Sequence, residues 1–184
     1  KKSLEDISKA ESLADVLELR LDLMHDYDLR ALLIAANKPC IVTNRTKREG
    51  GQFSGSEAQR IDVLKQAMDA GAEYVDIETS TPKELLQPFL ESKHKSKIIL
   101  SYHNFTDTPE ALEHLYELMC GMPADILKIV TYARDITNNL ALFNLIYRSK
   151  KDGKKLIALC MGERGEISRV LSPLLGGFLT FGSL

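Results

Sequence analysis

One lysine lies inside an apolar run. In DILKIVTYA (125–133), Lys128 is flanked by Ile126, Leu127, Ile129 and Val130. An ammonium placed there is costly unless it is paired or gives up its proton. Two readings follow. Lys128 is either a structural cation paired with Asp76 or Glu78, or an amine kept neutral by its surroundings and able to attack a carbonyl. His103 lies near the end of SKIILSYHN (96–104), the β-rich run before the lysine. Its place at a run's end suits acid/base work, against the alternative of a satisfied core histidine. His25, His94 and His114 fall in loop or helix patterns and read as surface residues.

Other ionisable residues recur at strand spacing. Residues of one parity share a face of a strand. In LELRLDL (17–23) the leucines form one face and Glu18, Arg20 and Asp22 the other. Tyr74, Asp76 and Glu78 share a face, as do Ile99, Ser101 and His103, and Ile126, Lys128 and Val130. Arg45 ends its run, and Glu49 follows in the loop TKREGG. One charged face is ordinary solvated surface. Several such faces, with ionisable groups near their C-terminal ends, suit the mouth of a (βα)8 barrel. MGERGEISR (161–169) lacks the Gly-Lys-Ser/Thr ending of a phosphate loop. It reads as a βα loop presenting Arg169 to an anion, against a flexible turn with a solvated arginine. The basic run YRSKKDGKK (147–155) reads as a solvated helix end. Asn104-Phe105-Thr106 fits a glycosylation sequon and reads as chance. No His, Cys or carboxylate set has metal-ligand spacing.

The elements that must position these groups alternate. Seven β-rich runs (14–23, 39–45, 72–79, 96–104, 125–133, 154–162 and 178–184) start roughly 24 to 33 residues apart. Helical patterns fill most gaps. Residues 56–70 place Ile61, Leu64, Ala67 and Met68 on one face before Gly71. Thr81-Pro82-Lys83-Glu84 reads as a capping box, and Thr108-Pro109 as a similar helix start. Residues 136–150 read as a further helix, closed by Asp152-Gly153. This rhythm means βαβ units and parallel strands. A doubly wound sheet would carry a Gly-rich turn after its first strand, and none is present. A (βα)8 barrel is the better reading. Residues 1–13, with Leu4, Ile7, Ala10 and Leu13, read as a helix with no strand before it. The expectation is one domain over 1–184 that lacks its first strand and its final βα loop and helix.

Composition bounds the remaining classes. The 184 residues are 44% hydrophobic and 27% charged, with a net charge of −2, so nothing argues for nucleic acid or an anionic membrane. No apolar run approaches the ~20 residues of a membrane span, and no signal peptide is visible. Cys40, Cys120 and Cys160 are widely spaced beside apolar residues and read as reduced thiols of a cytoplasmic protein. A lost targeting peptide is left open.

Seven stretches, taken in order, resemble type I 3-dehydroquinate dehydratase of the shikimate pathway. They are ELRLD (18–22), TNRTKREGG (43–51), YVDIE (74–78), ILSYHNF (99–105), DILKIV (125–130), MGERGEISR (161–169) and LTFGS (179–183). The resemblance implies a (βα)8 barrel that removes water from 3-dehydroquinate to give 3-dehydroshikimate. It gives Lys128 the role of Schiff-base lysine, His103 that of general acid/base, and Glu49 that of the carboxylate orienting and tuning the histidine. Glu18, Arg20 and Arg45 match residues that hold substrate hydroxyls and order the pocket, and Arg169 the arginine that clamps the carboxylate. No metal or organic cofactor is implied, because the imine on Lys128 is the electron sink. The partner implied is a small-molecule substrate, with a homodimer and a fused shikimate dehydrogenase domain as further options. The competing readings are a class I aldolase, which shares the barrel and the imine lysine, and a non-catalytic barrel binding a shikimate-like acid.

Overall fold

The computed structural model of the chain describes residues 2–92 and 94–183, with side chains from Glu5 onward. They form two compact units, one running to Ile98 and the other Ile99–Ser183. The described residues hold six strands alternating with helices, an α/β fold; the first three strands pair in parallel with one another, as do the last three.

The first unit opens with α1 (Lys2–Glu11), the expected N-terminal helix. Its Ile7 is buried, but Leu13 lies beyond the helix end and is exposed. Three strands follow: β1 (Leu17–Arg20), β2 (Cys40–Thr43) and β3 (Tyr74–Glu78). β1 pairs with β2 and β2 with β3, both parallel, with Glu18 opposite Ile41 and Thr43 opposite Asp76. Between the strands lie α2 (Leu29–Ala35) and α3 (Glu57–Asp69). α3 buries the expected stripe of Ile61, Leu64, Ala67 and Met68. Its start is fixed by a capping box in which Ser56 and Gln59 satisfy each other's backbone N–H groups.

The next helix, α4 (Lys83–Leu90), corrects an expectation. Its N-cap is Pro82, with no side-chain capping bond. The Thr81 hydroxyl instead accepts a hydrogen bond from Arg60 at 2.7 Å. A buried guanidinium in need of acceptors outcompetes the helix end for that oxygen.

β4 (Lys97–His103) begins at the end of the first unit and continues into the second. There α5 (Leu112–Cys120), β5 (Ile126–Tyr132), α6 (Asn138–Lys151), β6 (Lys155–Met161) and α7 (Ile167–Leu175) follow. β4 pairs with β5 and β5 with β6, both parallel. α5 starts later than Thr108-Pro109 suggests, because the Thr108 hydroxyl bonds the Thr131 hydroxyl and the Tyr132 carbonyl instead of capping. α6 matches its expected span within two residues. Ile126 and Ile129 of β5 are wholly buried, each contributing about 1.5–3 kcal/mol.

α7 turns serines, not leucines, toward β6. The Ser168 hydroxyl accepts from the Cys160 N–H at 2.8 Å, and the Ser172 hydroxyl donates to the Ala158 carbonyl at 2.7 Å. Val170 and Leu174 on its other side are exposed.

The run 178–184, expected as a seventh strand, is not one across 178–183; Leu184 lies outside the described residues. The Phe178 N–H reaches the Leu156 carbonyl at 2.8 Å, and no ladder follows. The segment is tied to α7 instead: the Thr180 hydroxyl donates to the Arg169 carbonyl, and Arg169 donates to the Phe181 carbonyl.

Candidate active site

In the first unit, strand alternation brings Glu18 and Arg20 to one face of β1 while Leu17 and Leu19 are buried on the other. The Thr43 hydroxyl, from the neighbouring strand, donates to Glu18 at 2.7 Å. Arg20 grips Asp22 with two parallel bonds, Nε to Oδ1 at 2.9 Å and Nη2 to Oδ2 at 2.8 Å. Arg45 follows β2 and is 3% exposed. Its Nη1 lies 2.9 Å from Asp76 and 3.1 Å from Glu78. Arg60 of α3, wholly buried, takes the other oxygen of Glu78. Each oxygen of Glu78 therefore faces an arginine. Burial alone would lower the Arg45 pKa; the charges of Asp76 and Glu78 outweigh it and raise it. Burial pushes the Glu78 carboxyl up, and Arg45 and Arg60 pull it back only in part.

Glu49 is placed by the loop chemistry of TKREGG. Lys47–Glu49 form a single 3-10 turn that ends on Gly50 in the left-handed region, at φ 77°. The Gly51 N–H then donates to the Thr46 carbonyl at 2.8 Å, and the Phe53 N–H to the Arg45 carbonyl at 3.1 Å. Glu49 ends up 5% exposed, with the Ser80 hydroxyl donating to Oε1. Burial pushes its carboxyl up to about 7, against the pull of the Ser80 hydrogen bond, with the charge of Glu78 adding to the rise.

In the second unit the register sets the histidine against the lysine. Ser101 is the partner of Lys128, and His103 that of Val130. Partners in parallel strands point the same way, so His103 and Lys128 share a face on adjacent strands, one pleat repeat apart. That corresponds to about 8 Å between Cα atoms. Ile157 flanks Lys128 on β6. Lys128 is 5% exposed, and its Nζ lies 4.3 Å from the centre of the Phe181 ring. His103 is half-buried and stacks on Phe105, with ring centres 6.4 Å apart. The turn after it is pinned by Asn104, whose Oδ1 accepts the N–H groups of Thr106 and Asp107 and the Thr106 hydroxyl. The sequon is thus an Asx turn that orders the segment beside the histidine.

Arg169 lies in α7 rather than in a loop. After Gly162 (φ 81°) the chain makes a 3-10 turn, Glu163–Gly165, and the helix starts at Ile167. Arg169 is half-buried and donates from Nη1 to the Phe181 carbonyl at 2.7 Å. The guanidinium has further N–H groups for an anion. His25, His94 and His114 are exposed, as expected.

Four further residues belong to these clusters without having been singled out from sequence. Asp22 is the third charge of a face already read as charged. Arg60 falls on the stripe of Leu64 and Ala67 at helical spacing, a polar residue on a buried face. Phe181 is masked by the strand-like pattern around it, and Ser80 carries no local signal. Among the described residues no group of three or more His, Cys, Asp or Glu could hold a metal ion, and no helix is long and apolar enough to cross a membrane.

The family model for type I 3-dehydroquinase matches residues 1–184. The chain is 43% identical to a 3-dehydroquinate dehydratase of Dehalococcoides mccartyi, over 98% of this chain and 80% of that protein. It is 40% identical to the bifunctional chloroplastic 3-dehydroquinate dehydratase/shikimate dehydrogenase of Arabidopsis thaliana, over 96% of this chain and 30% of that longer protein. The solved 3-dehydroquinate dehydratase of Enterococcus faecalis superposes with a TM-score of 0.83 at 30% identity, covering 98% of this chain and 84% of that one. The chain belongs to the type I 3-dehydroquinase family.

Proposed function

We propose that the protein is a 3-dehydroquinate dehydratase, a hydro-lyase working through an imine on Lys128. The observation that carries the reading is the lysine itself, 5% exposed on β5, with His103 on the same face of the adjacent strand. The unprotonated amine adds to the substrate ketone and water leaves, giving an iminium. His103 removes the C2 proton, and the electron pair moves into the iminium as an enamine. The enamine then expels the C1 hydroxyl, which takes a proton from His103 and departs as water. Hydrolysis of the imine frees the product and restores the amine.

Arg169 binds the substrate carboxylate in this scheme, and Glu18, Arg20 and Arg45 its hydroxyls. Glu49 keeps the role the resemblance gives it, tuning the histidine. A carboxyl titrating at about 7 is suited to that task near neutral pH. The scheme needs no metal or organic cofactor, since the iminium draws off the electrons. Strands that pair in parallel and alternate with helices support a (βα)8 barrel as the scaffold, in one dehydratase domain over residues 1–184. The same proposal has the protein act on its small-molecule substrate in the cytoplasm.

The test is to incubate the full-length protein with 3-dehydroquinate, reduce with borohydride and weigh it. A single adduct on Lys128 is expected, undiminished by a chelator and lost in Lys128→Met. No adduct on folded protein, or one that persists in the variant, overturns the mechanism.

A further inference from the structure

Asp22 has a role beyond the residues assigned so far. Its side chain is wholly buried. Its Oδ1 accepts from Arg20 Nε at 2.9 Å and from the Arg45 N–H at 3.1 Å. Its Oδ2 accepts from Arg20 Nη2 at 2.8 Å and from the Gln52 N–H at 3.0 Å. Both oxygens are committed to protein donors, so the carboxylate acts through its neighbours rather than on a ligand.

Those neighbours bracket the binding groups of the first unit. One bond pair fixes the plane of the Arg20 guanidinium. The other two seize the backbone at both ends of the segment from Arg45 to Gln52, which carries Glu49. We infer that Asp22 is a positioning residue that sets Arg20, Arg45 and the Glu49 loop in one frame; this rests on the dehydratase reading above. The arrangement is charge-assisted throughout, so it is stronger and more directional than neutral bonds would be. Without it, Arg20 is an exposed-end side chain with many rotamers, and the two ends of the loop lose a shared anchor.

An asparagine at this position keeps the shape but turns an N–H2 group toward N–H donors. Arg20 then has one acceptor instead of two, and one backbone N–H loses its partner. The experiment measures steady-state dehydration of 3-dehydroquinate by full-length wild type, Asp22→Asn, Arg20→Lys and the double variant. Borohydride trapping is run alongside.

Wild type must first give turnover and a Lys128 adduct; if it does not, the dehydratase reading fails, whatever Asp22 does. Given that, Asp22→Asn is expected to raise KM about tenfold or more and to lower kcat by a smaller factor, because the hydroxyl-binding groups and the Glu49 loop are misplaced while Lys128 itself is untouched. Its adduct on Lys128 should still form at saturating substrate. In the double variant the two effects should be less than additive, since both act on one guanidinium. Wild-type KM in Asp22→Asn, or strict additivity, overturns the inference. Should Asp22→Asn fail to fold, Asp22→Glu replaces it. It keeps the charge but moves the carboxylate by one methylene, so the same KM rise is expected, and an unchanged KM overturns the inference.

Discussion

Phe181 lays its ring 4.3 Å from the Lys128 Nζ and is itself held by Arg169 through its backbone carbonyl. The ring face lies over the amino group and covers it. Lys128 should therefore react slowly with a water-soluble amine reagent, while the exposed lysines react fast. Phe181→Ala should bring Lys128 up toward their rate, read by peptide mass mapping after timed labelling. Slow labelling that is identical in both proteins would show that Phe181 is not the cover.

Glu49 makes stability depend on pH. Its folded-state carboxyl titrates at about 7, above the ordinary 4.5, chiefly because it is buried. A raised carboxyl favours folding most below pH 4.5, where it is protonated in both states. That contribution is lost as pH rises through 7, when the buried group must ionise. The span corresponds to at most about 3 kcal/mol. Glu49→Gln removes the titration. From pH 4.5 to pH 8 the urea-unfolding free energy of the variant should gain on wild type by about 1–3 kcal/mol. A gap that stays flat across this range would count against a buried, titrating Glu49.

Much of this arrangement is visible in the sequence, because strand period is a local property. Alternation alone places Lys128, His103, Glu18 and Arg20 on definite faces, and the structure keeps those faces. Helix α3 is legible for the same reason, from apolar residues at helical spacing. What escapes is settled by partners distant in the chain. Thr81 is written as a cap, yet Arg60, 21 positions away, takes its hydroxyl. Asp22 looks like one more charge on a strand, and only its bonds to residues 45 and 52 show that it joins two segments. FLTFGSL has strand composition, but ties to Arg169 of α7 decide its course.

Arg60 tests how much the buried ion cluster matters to the fold. It is wholly buried and serves Glu78, Glu57 and Thr81. Arg60→Met leaves Glu78 with one guanidinium fewer and the Thr81 hydroxyl without its donor. Breaking one side of a buried charge network costs about 3–5 kcal/mol. Chemical denaturation should show a loss of that order. Glu57→Ala removes a partner that is 35% exposed and should cost less than about 1 kcal/mol. Equal losses from the two variants would mean that the Glu78 end carries no special weight.

Gly51 is the tightest point of the loop that carries Glu49. A Cβ built there would lie 2.0 Å from the Arg45 carbonyl oxygen and 2.4 Å from its carbon. Both are backbone atoms and cannot swing aside. Gly51→Ala must therefore push the loop off Arg45 and break the Phe53 N–H bond to the same carbonyl. Gly121 provides the contrast. It sits at φ −77°, and its added Cβ would meet the Leu118 carbonyl at an ordinary 3.5 Å. Gly121→Ala should be neutral or stabilise by about 0.4–1 kcal/mol, through the unfolded chain. Gly51→Ala should lower the melting temperature by several degrees and reduce kcat/KM, since Arg45 and Glu49 move with the loop. Thermal unfolding and steady-state dehydration, measured on both variants, separate the two sites. A Gly51→Ala protein with wild-type melting temperature and kcat/KM would show that the loop yields without disturbing Arg45 or Glu49.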